Sequence, residues 1–184
     1  MNGFFLLIPF FLIRFGLLSI LSKDGLKRAV FFAPLIGKEK IAYWFYQISN
    51  ILFLVYLFFL KITILQHWLF IGLITYAVGI LLCFGAISDF AKPSENGINL
   101  KGLYRFSRNP MYVAYFVYFL GCVILTHSLI LFLILMVFQI SAHWIILSEE
   151  RWCIRQFGDE YIKYMNKVRR YIWLLWQSTN KHGQ

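Results

Sequence analysis

Five apolar stretches set the limits on this chain, at residues 3–21, 41–60, 67–88, 111–126 and 129–147. An α-helix rises 1.5 Å per residue, so about 20 apolar residues cross a hydrocarbon core of about 30 Å. The fourth stretch is slightly short and is expected to draw on the polar elbow before it, or on a thinner local bilayer. With 60% hydrophobic residues and a mean hydropathy of +0.68, a water-soluble globule could not cover its own apolar surface. The expected fold is an all-α membrane protein of about five transmembrane helices with a cytosolic helical tail. It forms one domain over residues 1–184, with three helices in 1–88 and the polar elbow, a helical hairpin and the tail in 89–184.

The formal charge of +10 would point to nucleic acid in a soluble chain. Here the basic residues lie between apolar stretches, so membrane lipids and orientation explain them and no nucleic-acid partner is expected. Residues 22–40 carry five Lys/Arg, residues 89–110 carry four, and the tail from Ser148 carries seven, against Lys61 alone on the other side. The positive-inside rule then places the N-terminus outside and the C-terminus in the cytosol. Residues 3–21 have the length of a signal peptide, but neither a basic leader nor a small-residue cleavage site flanks them, so they read as a first membrane helix. Arg14 lies inside that helix, where a charge is costly, and is expected to find a partner or reach an interface. Pro34 and Gly37 argue for a loop over 22–40, and the short link after residue 60 makes the second and third stretches a hairpin.

Cys83, Cys122 and Cys153 form no C-x-x-C pair and read as packing residues. His67 and His127 fall at the opposite end of the helices from Glu149 and Glu150, so no metal site is expected. In the fifth stretch Gln139, His143, Leu147 and Glu150 share one helix face. Polar groups at membrane depth face a bundle or a cavity. Gln139 and His143 are therefore substrate-facing candidates, with hydrogen bonding to neighbouring helices as the simpler reading.

Two polar segments stand out. Gly102-Leu103-Tyr104-Arg105-Phe106-Ser107-Arg108-Asn109-Pro110-Met111-Tyr112 is a basic, aromatic elbow. Asn109 is suited to an N-cap and Pro110 to a first helical turn. The free N–H groups there, beside Arg108, suit an anion, and Tyr104 and Tyr112 offer π faces. After the last apolar stretch, Glu149-Glu150 precede Phe157-Gly158-Asp159, and then Tyr161, Tyr164, Met165 and Val168 recur on one helical face. Gly158 ends a helix and Asp159 is placed to cap the next. Residues 169–176, basic then aromatic, read as a segment lying at the interface.

The pair of segments resembles the superfamily of isoprenylcysteine carboxyl methyltransferases and phospholipid methyltransferases. An elbow G-x-Y-x-x-x-R-[HN]-P-x-Y is matched by Gly102, Tyr104, Arg108, Asn109, Pro110 and Tyr112. A later E-E…F-G-x-x-Y-x-x-Y is matched by Glu149, Glu150, Phe157, Gly158, Tyr161 and Tyr164. The resemblance covers about the last half of the chain and implies S-adenosylmethionine-dependent methyl transfer to a lipophilic or amphiphilic acceptor. Its nucleophile would be a carboxylate, thiol or amine. Cofactor contacts carried over by position fall on Asn96, Gly97, Ile98, Asn99, Tyr104, Asn109, Pro110, Met111, Tyr112 and Glu149, with Gly102, Arg108, Glu150, Tyr161 and Tyr164 around them. Arg108 suits the cofactor carboxylate, Glu149 or Glu150 its ribose or ammonium, and the tyrosines its adenine and sulfonium. His143 would orient the acceptor or take its proton. Carboxyl-methylating relatives carry an Arg where Ile145 stands, which argues against a carboxylate acceptor. A sterol-type reductase using NADPH and a non-catalytic membrane scaffold are the rival readings.

Overall fold

The structure, a computed structural model, describes residues 1–64, 66–94 and 97–171. Asn96 and residues 172–176 of the expected interfacial segment lie outside the described residues. The elements are α1 (Gly3–Leu21), α2 (Lys23–Val30), α3 (Glu39–Phe59), α4 (Gln66–Phe90), α5 (Pro110–Thr126), α6 (Leu129–Phe157) and α7 (Asp159–Lys167). A 3₁₀ turn at Gly102–Arg105 precedes α5. Among the described residues, α1, α3, α4 and α6 are long and apolar enough to span a membrane, and α5 is the short fifth apolar helix. The outward faces carry Ile51, Phe70, Leu81 and Ile140, all exposed. In lipid an apolar outer face costs nothing, since tails and side chains are equally apolar. The protein is an all-α, multi-pass membrane protein.

The helix pairing departs from sequence order. The second and third stretches do not form a packed hairpin. Instead α3 runs along α6, and α4 along α5. The reason is side-chain complementarity. Ala42, Tyr46, Ser49, Phe53 and Leu57 form a buried stripe on α3, and Leu131, Leu135, Phe138, Ala142 and Ile145 form one on α6. Tyr46 stacks on Phe138 at 5.1 Å. Along α4 and α5 the fit is backbone to backbone. A Cβ at Gly79 would lie 2.4 Å from the Tyr118 Cα, and one at Gly121 would lie 2.6 Å from the Tyr76 Cα. Small residues are the usual means of close helix approach in membranes.

The segment after α1 is not wholly a loop. Ser22 caps α2, its Oγ accepting from the Gly25 N–H at 2.9 Å, and only residues 31–36 are extended. Within α1, a 3₁₀ turn gives way to α-helix at Ile8 and then to a π-helical stretch at Leu12–Leu17 that carries Arg14. A tight turn follows α5. His127 adopts a left-handed conformation with φ 48°, and the Ser128 Oγ accepts from the Leu131 N–H to start α6.

The glycine contacts make a direct prediction. Gly79→Ala and Gly121→Ala should each destabilise the protein by about 1–3 kcal/mol through overpacking. Thermal unfolding in detergent should show this, while Gly16→Ala, with nothing within 4 Å of its new Cβ, should cost little.

Candidate functional site

The elbow is built by a carboxylate that reaches it from α4. Asp89 Oδ2 accepts from the Leu103 N–H at 2.7 Å, and a Cβ at Gly102 would sit 2.0 Å from that oxygen. Gly102 also has φ +58°, so both space and backbone demand glycine. Its place in the motif is structural, and its residue does not line the cavity described below.

The chain then passes the tail in an extended course. The Arg108 N–H donates to the Arg169 carbonyl at 2.9 Å. Ser107 Oγ and Asn109 Nδ2 both donate to the Arg170 carbonyl. Asn109 stands at the N-cap position of α5, but its side chain makes no capping bond. The tail carbonyl claims it instead. Gly158, with φ 56°, holds the N-cap place of α7, so Asp159 is the first helical residue and makes no side-chain cap.

Glu150 is the charge centre of this junction. It is 4% exposed, lies 2.9 Å from an Arg108 nitrogen and 2.7 Å from an Arg170 nitrogen, and accepts from Arg170 Nε with both oxygens. The hydrogen bonds that Arg170 donates to Glu150 hold its guanidinium above its usual range. Arg108 also donates to the Met165 carbonyl at 3.1 Å. Its charge is therefore matched by Glu150 within the protein, and its Nε is left as a buried donor with no partner among the described residues. Glu149 is different. Its one oxygen accepts from Tyr112 Oη at 3.0 Å, and no cation pairs with it among the described residues.

These groups surround a cavity of about 250 Å³ between the elbow, α7 and the membrane helices. Of the residues named from the sequence, Gly97, Ile98, Asn99, Tyr104, Arg108, Asn109, Met111, Tyr112, Glu149, Glu150, Tyr161 and Tyr164 line it. Tyr161, Tyr164 and Val168 pack against Ile98, as the helical spacing indicated, and Tyr164 Oη donates to the Tyr104 carbonyl at 2.7 Å. Burial pushes the phenols of Tyr104, Tyr161 and Tyr164 above their usual range, so they present neutral rings. Pro110 starts α5 beside the cavity without lining it.

Gln139 and His143 do not reach this cavity. His143 Nδ1 lies 2.6 Å from Tyr171 Oη, so the histidine ties the tail to α6. Gln139 Oε1 is buried without a partner among the described residues. Ile145 is fully buried in the core. The deep polar wall comes from Arg14, Tyr46 and Tyr115, and α2 contributes Arg28. The sequence signalled Arg14 as anomalous but did not say what it faces. No group of three His, Cys, Asp or Glu among the described residues is placed to hold a metal ion.

Fold and site define a polytopic helical membrane protein with a ligand cavity at one end of its bundle. The model of the phospholipid methyltransferase family matches residues 58–160, more than half of the chain, and the chain belongs to that family. Membership implies methyltransferase activity on membrane lipid. A search of curated proteins returns no match.

The contrast between the two acids is testable. Glu150→Ala strands Arg108 and Arg170 and should cost roughly 3 kcal/mol, the low end for a broken buried pair because Arg170 is partly exposed. Glu149→Ala breaks no ion pair and should unfold at nearly the wild-type temperature in the same detergent melt.

Proposed function

We propose that the protein transfers a methyl group from S-adenosylmethionine to a lipophilic or amphiphilic acceptor at the membrane. The observation that carries this reading is the pair of orphaned polar atoms in the cavity wall. Asn99 Oδ1 and Arg108 Nε are buried with no partner among the described residues, and both residues line the cavity with Glu149. A buried polar atom without a partner costs free energy. One acceptor, one donor and a carboxylate fit a ligand bearing ammonium, hydroxyl and carboxylate groups, as the amino-acid and ribose parts of this cofactor do.

In this reading Arg108 Nε donates to the cofactor carboxylate, while Asn99 Oδ1 and Glu149 accept from its ammonium or ribose hydroxyls. Tyr104, Tyr161 and Tyr164 supply neutral rings for adenine and sulfonium. When bound, the cofactor supplies a methyl carbon on a positively charged sulfur, open to in-line displacement by an acceptor lone pair. The protein's part is alignment and exclusion of water. Phe31, Phe32, Met111, Trp152 and Phe157 form the apolar wall for that. Phe31 is half-exposed and its ring lies 5.4 Å from that of Trp152, a rim past which an amphiphile can enter. His143 and Gln139 stand off the cavity, so the acceptor is oriented by other groups.

The orientation follows the Lys/Arg distribution, with the cavity on the cytosolic side. Single cysteines introduced as Asn2→Cys and His182→Cys should react with a membrane-impermeant label from opposite sides. The first should react from outside and the second from the cytosolic side, and labelling of both from one side would contradict the five-span topology.

Calorimetry with S-adenosylhomocysteine tests the cofactor reading. Wild type should bind it, and Glu149→Gln should bind about 10- to 100-fold more weakly, the loss of one charge-assisted hydrogen bond of roughly 1.5–3 kcal/mol. Binding of NADPH in its place would favour the reductase reading.

A further inference from the structure

We propose that Arg14 is the receptor for the phosphodiester of a lipid acceptor, held at the membrane end of the cavity while its head group reaches the elbow. The inference rests on the methyl-transfer reading and names the substrate group that the same cavity recognises.

Arg14 projects from the π-helical stretch Leu12–Leu17. Such stretches are rare, and they are frequent at functional sites. The side chain lines the same cavity as Asn99, Tyr112 and Glu149. It donates a hydrogen bond to Tyr115 Oη, and its guanidinium lies 5.1 Å from the centre of the Tyr115 ring. No carboxylate pairs with it among the described residues. Other arginines at this end of the bundle are matched: Arg108 and Arg170 by Glu150, and Arg151 by Glu39 at 2.6 Å.

A guanidinium has five N–H donors in a planar fork. One phenol satisfies one donor, and the ring faces of Phe15 and Tyr115 offset only part of the charge. A cation at membrane depth with unmatched charge is costly and is normally paired or functional. An oxyanion delivered by the ligand would complete the site, and the fork suits a phosphate's two free oxygens.

The geometry fixes which part of the acceptor would meet it. Tyr112, which binds Glu149, and Tyr115, which binds Arg14, are three residues apart on α5. That is about 4.5 Å along the axis. Arg14 therefore meets α5 nearly one turn further along the helix than the carboxylate assigned to the cofactor does. A phosphodiester held there leaves a short-linked head group one turn nearer the elbow, and its acyl chains toward the bilayer. Arg14 precedes the residues matched by the family model, which start at residue 58, so nothing in that match assigns it a role. Nor does Ile145 supply the cation, since it is apolar and buried.

The test uses three amines with one dodecyl tail: a phosphodiester-linked ethanolamine, an α-amino acid and dodecylamine itself. The full chain in detergent would be assayed as wild type, Arg14→Gln and Arg14→Lys, both for KM and for the shift in thermal unfolding that each amphiphile gives. S-adenosylhomocysteine affinity is measured alongside and should stay within about twofold in both variants. For wild type the phosphodiester amine should show a KM at least 10-fold below dodecylamine and the largest thermal shift. In Arg14→Gln that ratio should fall to near one and the extra shift should vanish, whereas Arg14→Lys should keep part of both. Retention of the wild-type ratio in Arg14→Gln, or stronger binding of the amino acid than of the phosphodiester, would overturn the proposal. Absence of S-adenosylhomocysteine binding would instead overturn the methyl-transfer reading, and the thermal shifts would still decide what Arg14 binds.

Discussion

The junction that the site depends on is the buried carboxylate of Glu150. It gathers Arg108 from the elbow and Arg170 from the tail at the C-terminal end of α6. Beside the small apolar cluster of Ile98, Tyr161, Tyr164 and Val168, charge and backbone hydrogen bonds hold these segments together, with the Arg108 N–H and the Ser107 and Asn109 side chains reaching the carbonyls of Arg169 and Arg170. A buried carboxylate is tolerable only when its partners surround it, and here they do. The result is a roof over the cavity, fixed to the membrane helices from which Glu149 looks inward. Adjacent acids thus differ: Glu150 is held in ion pairs, while Glu149 lines the cavity with no ion pair among the described residues.

Beneath that roof, membrane packing sets the cavity's shape. Gly79 and Gly121 let α4 and α5 approach until their backbones touch. Tyr112 and Tyr115 are carried by α5, which places them against α6 and α1 respectively through Glu149 and Arg14. The same bundle exposes its apolar residues outward, where lipid replaces the solvent that would penalise them. One end of the cavity is therefore polar and tied to the tail, and the other lies among helices at membrane depth.

Much of this was legible in the sequence. Hydropathy alone yields the apolar helices, and the three-to-four spacing of Tyr161, Tyr164 and Val168 yields the buried face of α7. The elbow and the paired acids carry the family, because Gly102 and Glu150 sit where the backbone and the ion pairs accept little else. The pairing of α3 with α6 was not legible. A short link suggests a hairpin, but the matching stripes around Tyr46 and Phe138 decide the contact, and they emerge only in three dimensions. The same holds for Asn109, whose cap-like position is overridden by a tail carbonyl distant in sequence. His143 and Gln139 looked substrate-facing because a helix face can be read from spacing, whereas the neighbour it faces cannot. For Arg14 the converse applied: its cost was plain, and its direction was not.

Hydrogen–deuterium exchange on the full chain in lipid nanodiscs, with and without S-adenosylhomocysteine, tests most directly whether one cavity under the tail receives the cofactor. Slowed exchange should appear together in residues 97–112 and 159–168, with none in the 60–75 region at the far end of the bundle. Protection absent from both segments, or confined to the far end, would contradict it.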